Sequence, residues 1–186
     1  MAQRPTTVVY IATGLDGCIA RADGGIDWLP DGGEQGIKSW NELMERCDCM
    51  LMGRKTFSTV IGFDCPWPYA GLKLTVLSST LTAADIPARL AEHSIKISSA
   101  GPEAALREMA ADGGKVCYVD GGSTIQSLLR DDRVDELVVT TVPILLGTQG
   151  AKLFGELSED LKFKHAGTET WESGLVKSTY RRVRDS

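Results

Sequence analysis

The chain has 186 residues, 42% of them hydrophobic and 24% charged, with a formal net charge of -5. That length suits a single domain with a sizeable core, and no linker-like stretch divides it. Acidic and basic residues are interspersed, which argues against a nucleic-acid or membrane-surface partner, and the apolar run after Thr7 is too short for a signal peptide or a span, so a cytoplasmic protein is expected.

Short apolar runs at residues 8–12, 49–52, 74–77, 95–97, 116–119 and 136–142 are rich in Val, Ile and Leu, and are continuous enough to be strands buried on both faces. Between them lie segments of helical period. Ile37, Trp40, Leu43, Met44 and Cys47 recur at steps of three and four and predict a helix over residues 36–48. Pro102 opens a second helix that carries Leu106 and Met109 inward and stops at Gly113 and Gly114, and residues 123–130 form a third around Ile125, Leu128 and Leu129. The alternation predicts an α/β fold of three layers, with a mostly parallel central sheet and helices on both faces.

The tail differs. Residues 163–171 and 175–183 flank Glu172, Ser173 and Gly174, a spacing that predicts a C-terminal antiparallel hairpin added at the sheet edge. The basic run Tyr180, Arg181, Arg182, Val183, Arg184 reads as a solvated edge strand. Cys18, Cys47, Cys49, Cys65 and Cys117 show no paired metal spacing, so no metal is expected and they read as buried reduced thiols.

An open parallel sheet binds ligands at the carboxyl ends of its strands, and several of these ends carry suitable chemistry. Gly53, Arg54, Lys55 and Thr56 follow the second strand and combine free backbone amides, two cations and a hydroxyl at a helix start. Ser78, Ser79 and Thr80 follow the third, and short hydroxyls can reach a ribose or its phosphate without crowding it. Asp120, Gly121, Gly122, Ser123 and Thr124 follow the fifth, where paired glycines admit a pyrophosphate to the first turn of the next helix. The G-x-G-x-x-G fingerprint of the usual dinucleotide fold is absent.

The order of these motifs carries a resemblance. Residues 12–20, A-T-G-L-D-G-C-I-A, resemble the first strand and loop of dihydrofolate-reductase-like proteins, and especially the S-L-D-G-x-I-A of reductase domains of riboflavin biosynthesis, with Gly14 in place of serine. M-G-R-K-T from Met52, L-S-S from Leu77 and V-D-G-G from Val119 are similar to the segments M-G-R-x-T, L-S-S and V-x-G-G of that superfamily. The stretch P-I-L-L-G-T-Q-G-A-K-L-F from Pro143 resembles the riboflavin-pathway group more than the folate reductases. The resemblance implies a reductase that uses NADPH, with Ala12, Gly53, Arg54, Lys55, Thr56, Ser78, Ser79, Gly121, Gly122, Ser123 and Thr124 lining the cofactor site, and with Arg54 and Ser79 at the 2′-phosphate.

On the substrate side it implies a mobile loop at Trp28 and Leu29 that closes over substrate and nicotinamide, and a role for Asp16. Folate reductases place a carboxylic acid at the start of their first helix, and the nearby candidates here are Asp27, Asp31 and Glu34, none a clean match. The expected substrate is a small pyrimidine or pterin-like molecule, as for 5-amino-6-(5-phosphoribosylamino)uracil reductase. Dihydrofolate reductase and a dinucleotide-binding module without turnover are the alternatives. The H-x-E and P-C-x-x-C ligands of a zinc deaminase half are absent from the sequence. A homodimer is a further expectation, through the apolar run that starts at Pro143.

Overall fold

The computed structural model describes residues 4–147 and 149–184. Its eight-stranded sheet has the order β5-β4-β3-β6-β1-β7-β10-β9. The strands are β1 (Thr6–Gly14), β3 (Cys49–Gly53), β4 (Lys73–Leu77), β5 (Ile95–Ser98), β6 (Val116–Asp120), β7 (Glu136–Val142), β9 (Phe163–Thr170) and β10 (Val176–Arg182). From β5 to β7 every pairing is parallel, and the hairpin β9–β10 adds antiparallel strands beside β7.

Helices cover both faces, because alternate strand residues are apolar on both sides. Val8, Met50, Met52, Leu74 and Val76 face α1 (Gly33–Arg46) and α2 (Arg54–Val60), whereas Val9, Leu51, Cys117 and Val119 face α3 (Pro102–Ala111) and α4 (Gly122–Arg130). Full burial of side chains such as Met50, Phe57 and Leu106 is worth about 1.5 to 3 kcal/mol each, which anchors the helices to the sheet.

Several expectations need correction. β1 is longer than predicted at both ends, and α1 starts at Gly33 instead of Gly36, since the carboxylate of Asp31 accepts the Gly33 N–H at 3.1 Å and so supports an earlier first turn. β10 is not the edge strand. It lies between β7 and β9, and the basic run pairs with acids: Arg181 with Glu136, Arg182 and Arg184 with Asp132, and Arg184, just past the strand, also with Asp135. Cys65 is exposed, unlike the other four cysteines.

One small element had no sequence signal. β2 (Cys18–Ala20) pairs with β8 (Ala151–Lys152), and this ribbon ties the segment after β7 to the turn after β1. Thr148, within the segment read as riboflavin-pathway-like, lies outside the described residues. Among the described residues no helix is long and apolar enough to cross a membrane.

Candidate functional site

The register of β1 opens the sheet at its centre. Thr6 to Val9 pair with β6, but Tyr10 to Gly14 pair only with β7, so β1 parts from β6 beyond Val9. The turns after β4, β3 and β6 then stand side by side with the free end of β1, spaced by neighbouring strands, over roughly 14 Å. This is the crevice at which open parallel sheets take ligands.

Two of the turns interlock. Gly121 has φ +94°, a backbone angle that L side chains rarely adopt, and a Cβ there would overlap Thr56 Oγ1. A Cβ at Gly53 would come within 3.0 Å of Thr124 Oγ1. The glycines thus let the β3–α2 and β6–α4 turns touch. No side chain caps the start of α4, so its first amides remain available to an anion. Arg54, Lys55, Ser79 and Ser123 are exposed at these turns, and neither cation enters an ion pair among the described residues. Ser78 behaves differently from Ser79: it is buried, and its Oγ accepts the N–H groups of Thr80 and Leu81 at 3.1 and 2.8 Å, which shapes the turn.

Clefts lie at both ends of this row. One, of about 420 Å³, is bounded by Ser78, Ser79, Thr82, Lys96 and Ser99 beyond β4 and β5. The other, of about 340 Å³, lies between β1, β7, the start of α1 and the hairpin turn. Tyr10, Ala12, Thr140 and Val142 form its floor; Leu29, Pro30, Asp31, Ile37 and Trp40 form one wall, and Trp171 and Leu175 the other. Ala12, on the strand that ends the row, belongs to this second cleft.

The sequence-predicted substrate residues separate around that cleft. Asp31 lines it, immediately before α1. Asp16 accepts the N–H groups of Leu146 and Gly147 at 2.9 and 2.8 Å and of Cys18 at 3.3 Å, and so pins the loop after β7. Desolvation works to raise its pKa, but the N–H groups of Gly147, Cys18 and Leu146 hold it below the ordinary carboxylate value. Asp27 is exposed and is held by Arg21 at 2.7 and 2.9 Å, a hydrogen-bonded pairing that lowers its pKa. Glu34 is exposed in the first turn of α1. Trp28 is buried and packs with Val142, Trp171 and Leu175, while its neighbour Leu29 faces the cleft. The indole N–H groups of Trp28 and Trp171 are buried without an acceptor among the described residues.

Other residues at the site carried no functional signal in the sequence. Tyr10 and Trp40 read as core, yet they meet at the cleft with ring centroids 6.2 Å apart. The Tyr10 hydroxyl lies 3.0 Å from Ser39 Oγ, which also accepts from Lys177 Nζ at 3.0 Å, and Lys177 pairs with Glu169 at 3.0 Å. That chain, which runs from the half-buried Tyr10 through buried Ser39 and Lys177 to exposed Glu169, braces the cleft floor. Asp120, at the end of β6, accepts the Gly121 N–H at 2.7 Å and lies 3.5 Å from the Tyr69 hydroxyl; burial raises its pKa. Its position within V-D-G-G was visible, but the aromatic enclosure was not, since Tyr69 belongs to a segment far away in the chain.

The chain has recognisable relatives. Residues 5–177 match the family model described as the RibD C-terminal domain. A Shewanella sp. PV-4 protein, described as belonging to riboflavin biosynthesis, has a crystal structure that is 38% identical with a TM-score of 0.84, and the likeness covers 96% of this chain and 99% of that one. RibD of Acinetobacter baumannii is 18% identical with a TM-score of 0.72, covering 97% of this chain but 58% of RibD, and shows the same fold. The uncharacterized protein YwjB of Bacillus subtilis is 28% identical over 164 residues, 88% of this chain and 90% of YwjB.

Proposed function

The chain belongs to the RibD C-terminal domain family, and from that membership together with its crevice we propose that it is an NADPH-dependent reductase of a small pyrimidine or pterin-like molecule. One observation carries the reading: an uninterrupted row of phosphate-suited turns leads to an open, largely apolar cleft, with Ala12 where the two meet.

The residues fit the cofactor. Gly121 keeps side-chain bulk away from the crevice, the uncapped start of α4 suits a pyrophosphate, and Arg54 with Ser79 suits a 2′-phosphate. NADPH would supply the hydride, so the protein needs neither a nucleophile nor a metal, only alignment and a proton. Tyr10, Trp40 and Trp171 offer flat walls that orient a ring and keep water from it. Asp31 and Asp120 are the carboxyl groups best placed to hold or pass a proton. Asp31 stands in the cleft itself, and Asp120 lies beside the cofactor turn.

Asp31 also favours a second reading, dihydrofolate reduction, because it puts a carboxylate at the start of the first helix and in the cleft. Equilibrium titration with NADPH and NADH tests the cofactor site. Loss of NADPH absorbance with dihydrofolate, or with 5-amino-6-ribosylaminouracil or its 5′-phosphate, then separates the two readings. Failure to bind NADPH at all would sink both.

A further inference from the structure

We infer that the cleft takes an unphosphorylated planar heterocycle and discriminates against a phosphate ester of it. The inference rests on the reading of the second cleft as the substrate site and narrows the class of substrate.

The cleft wall is almost entirely aromatic or aliphatic. Among the described residues that line it, Asp31 alone is charged, and it is an acid. The cations in the neighbourhood are committed elsewhere. Lys177 is 7% exposed and held between Ser39 and Glu169, Arg21 is locked on Asp27, and Lys152 donates to the backbone oxygen of Asp16 at 2.8 Å. A phosphate group brought to this cleft would lose hydration and find no side-chain cation to replace it.

The start of α1 also borders the cleft, and Asp31 Oδ1 accepts the Gly33 N–H there, so an acid stands next to the amides that a phosphate would seek. Next to lining residues, though not lining the cleft themselves, Glu34 lies in the first turn of α1 after Gly33, and Glu172 follows Trp171, its N–H directed to Gln35 Oε1 at 3.4 Å. None of these three carboxylates enters an ion pair among the described residues. An acidic rim around aromatic walls admits a neutral ring, stacks it and offers acceptors to its N–H groups. The same rim repels a dianion.

Two matched pairs of ligands test this: 5-amino-6-ribitylaminouracil with its 5′-phosphate, and riboflavin with flavin mononucleotide. Each is titrated into the whole protein, with and without saturating NADPH, and followed by calorimetry and by quenching of tryptophan fluorescence. The expected result is that at least one unphosphorylated member binds roughly tenfold or more tightly than its ester. The combined variant Asp31→Asn, Glu34→Gln, Glu172→Gln should shrink that ratio by strengthening ester binding, with NADPH affinity unchanged.

Equal or tighter binding of the esters overturns the inference, as does a ratio that the variant leaves unmoved, or binding of none of the four compounds. Loss of NADPH binding by the wild-type protein would instead overturn the proposed reductase, and the ligand ratio would still stand or fall by itself.

Discussion

Gly121 and Thr56 meet so closely that a Cβ on the glycine would overlap the threonine hydroxyl oxygen. This contact joins the turn after β6 to the turn after β3, the two strand ends that would flank a pyrophosphate. Gly121→Ala therefore combines a disfavoured positive φ, worth about 1 to 2 kcal/mol, with displacement of the α2 start. The expected outcome is a lower melting temperature and a loss of NADPH affinity of more than tenfold, read by thermal denaturation and calorimetry. Gly122→Ala should be milder, because the nearest atom, Ile19 Cδ1 at 2.8 Å, is the end of a flexible side chain. An unchanged NADPH affinity in Gly121→Ala would reduce the pair of glycines to a simple turn.

Arg54 is expected to separate the two nicotinamide cofactors. A charge-assisted contact to a phosphate is worth about 1.5 to 3 kcal/mol, so Arg54→Ala should weaken NADPH binding roughly tenfold or more and leave NADH nearly unaffected. Parallel titrations with both cofactors decide this. Equal losses would place Arg54 away from the 2′-phosphate.

Trp28 tests packing against coverage of the reacting rings. Its buried indole N–H has no acceptor among the described residues, so Trp28→Phe removes an unsatisfied donor and should cost little stability, on the order of 1 kcal/mol or less. Trp28→Ala should cost about 3 to 5 kcal/mol by opening a cavity beside Val142, Trp171 and Leu175. Urea melts give both values. Hydride transfer that survives Trp28→Phe and falls in Trp28→Ala in proportion to stability would make Trp28 a support for Leu29 and the cleft.

Asp135 supplies a pH signature far from the cleft, at the amino ends of β1 and β7. Burial acts to raise its pKa, but Arg4, the Thr7 N–H and Arg184 outweigh it and bring the value to about 2, below the ordinary 3.8. A depressed folded-state pKa contributes stability that is present above the unfolded value and is lost as pH falls from about 4 through about 2. That contribution is on the order of 2 kcal/mol at neutral pH. Asp135→Asn should lose it at pH 7 and flatten the acid limb of the stability curve, with NADPH affinity unchanged.

Asp120 has the opposite sign. Burial raises its folded pKa, so its ionisation weakens the fold as pH rises through that value, and stability is fully retained below the unfolded pKa. Asp120→Asn should therefore hold or increase stability at neutral pH. If Asp120 passes the proton, the same variant should slow single-turnover hydride transfer about 10²-fold with cofactor binding intact. A variant that is destabilised at pH 7 and turns over normally would contradict both expectations.

The amino-acid sequence by itself determined the parallel sheet, its helices and the phosphate-suited turns. Each rests on local chemistry: apolar runs long enough for strands, a period near 3.6 for helices, and Gly, Ser, Thr, Arg and Lys at strand ends, where the backbone bends and amides are free. The cleft was decided only by tertiary structure. Tyr10, Trp40, Thr140 and Trp171 come from four separate elements and converge because β1 runs past β6, α1 packs over it and the hairpin docks on β7. Likewise, nothing local distinguishes Asp16, Asp27 and Asp31 as carboxylates. Asp16 is held by amides 130 residues away, Asp27 is matched to nearby Arg21, and Asp31 alone of the three faces the cavity, because long-range packing places the walls of that cavity around it.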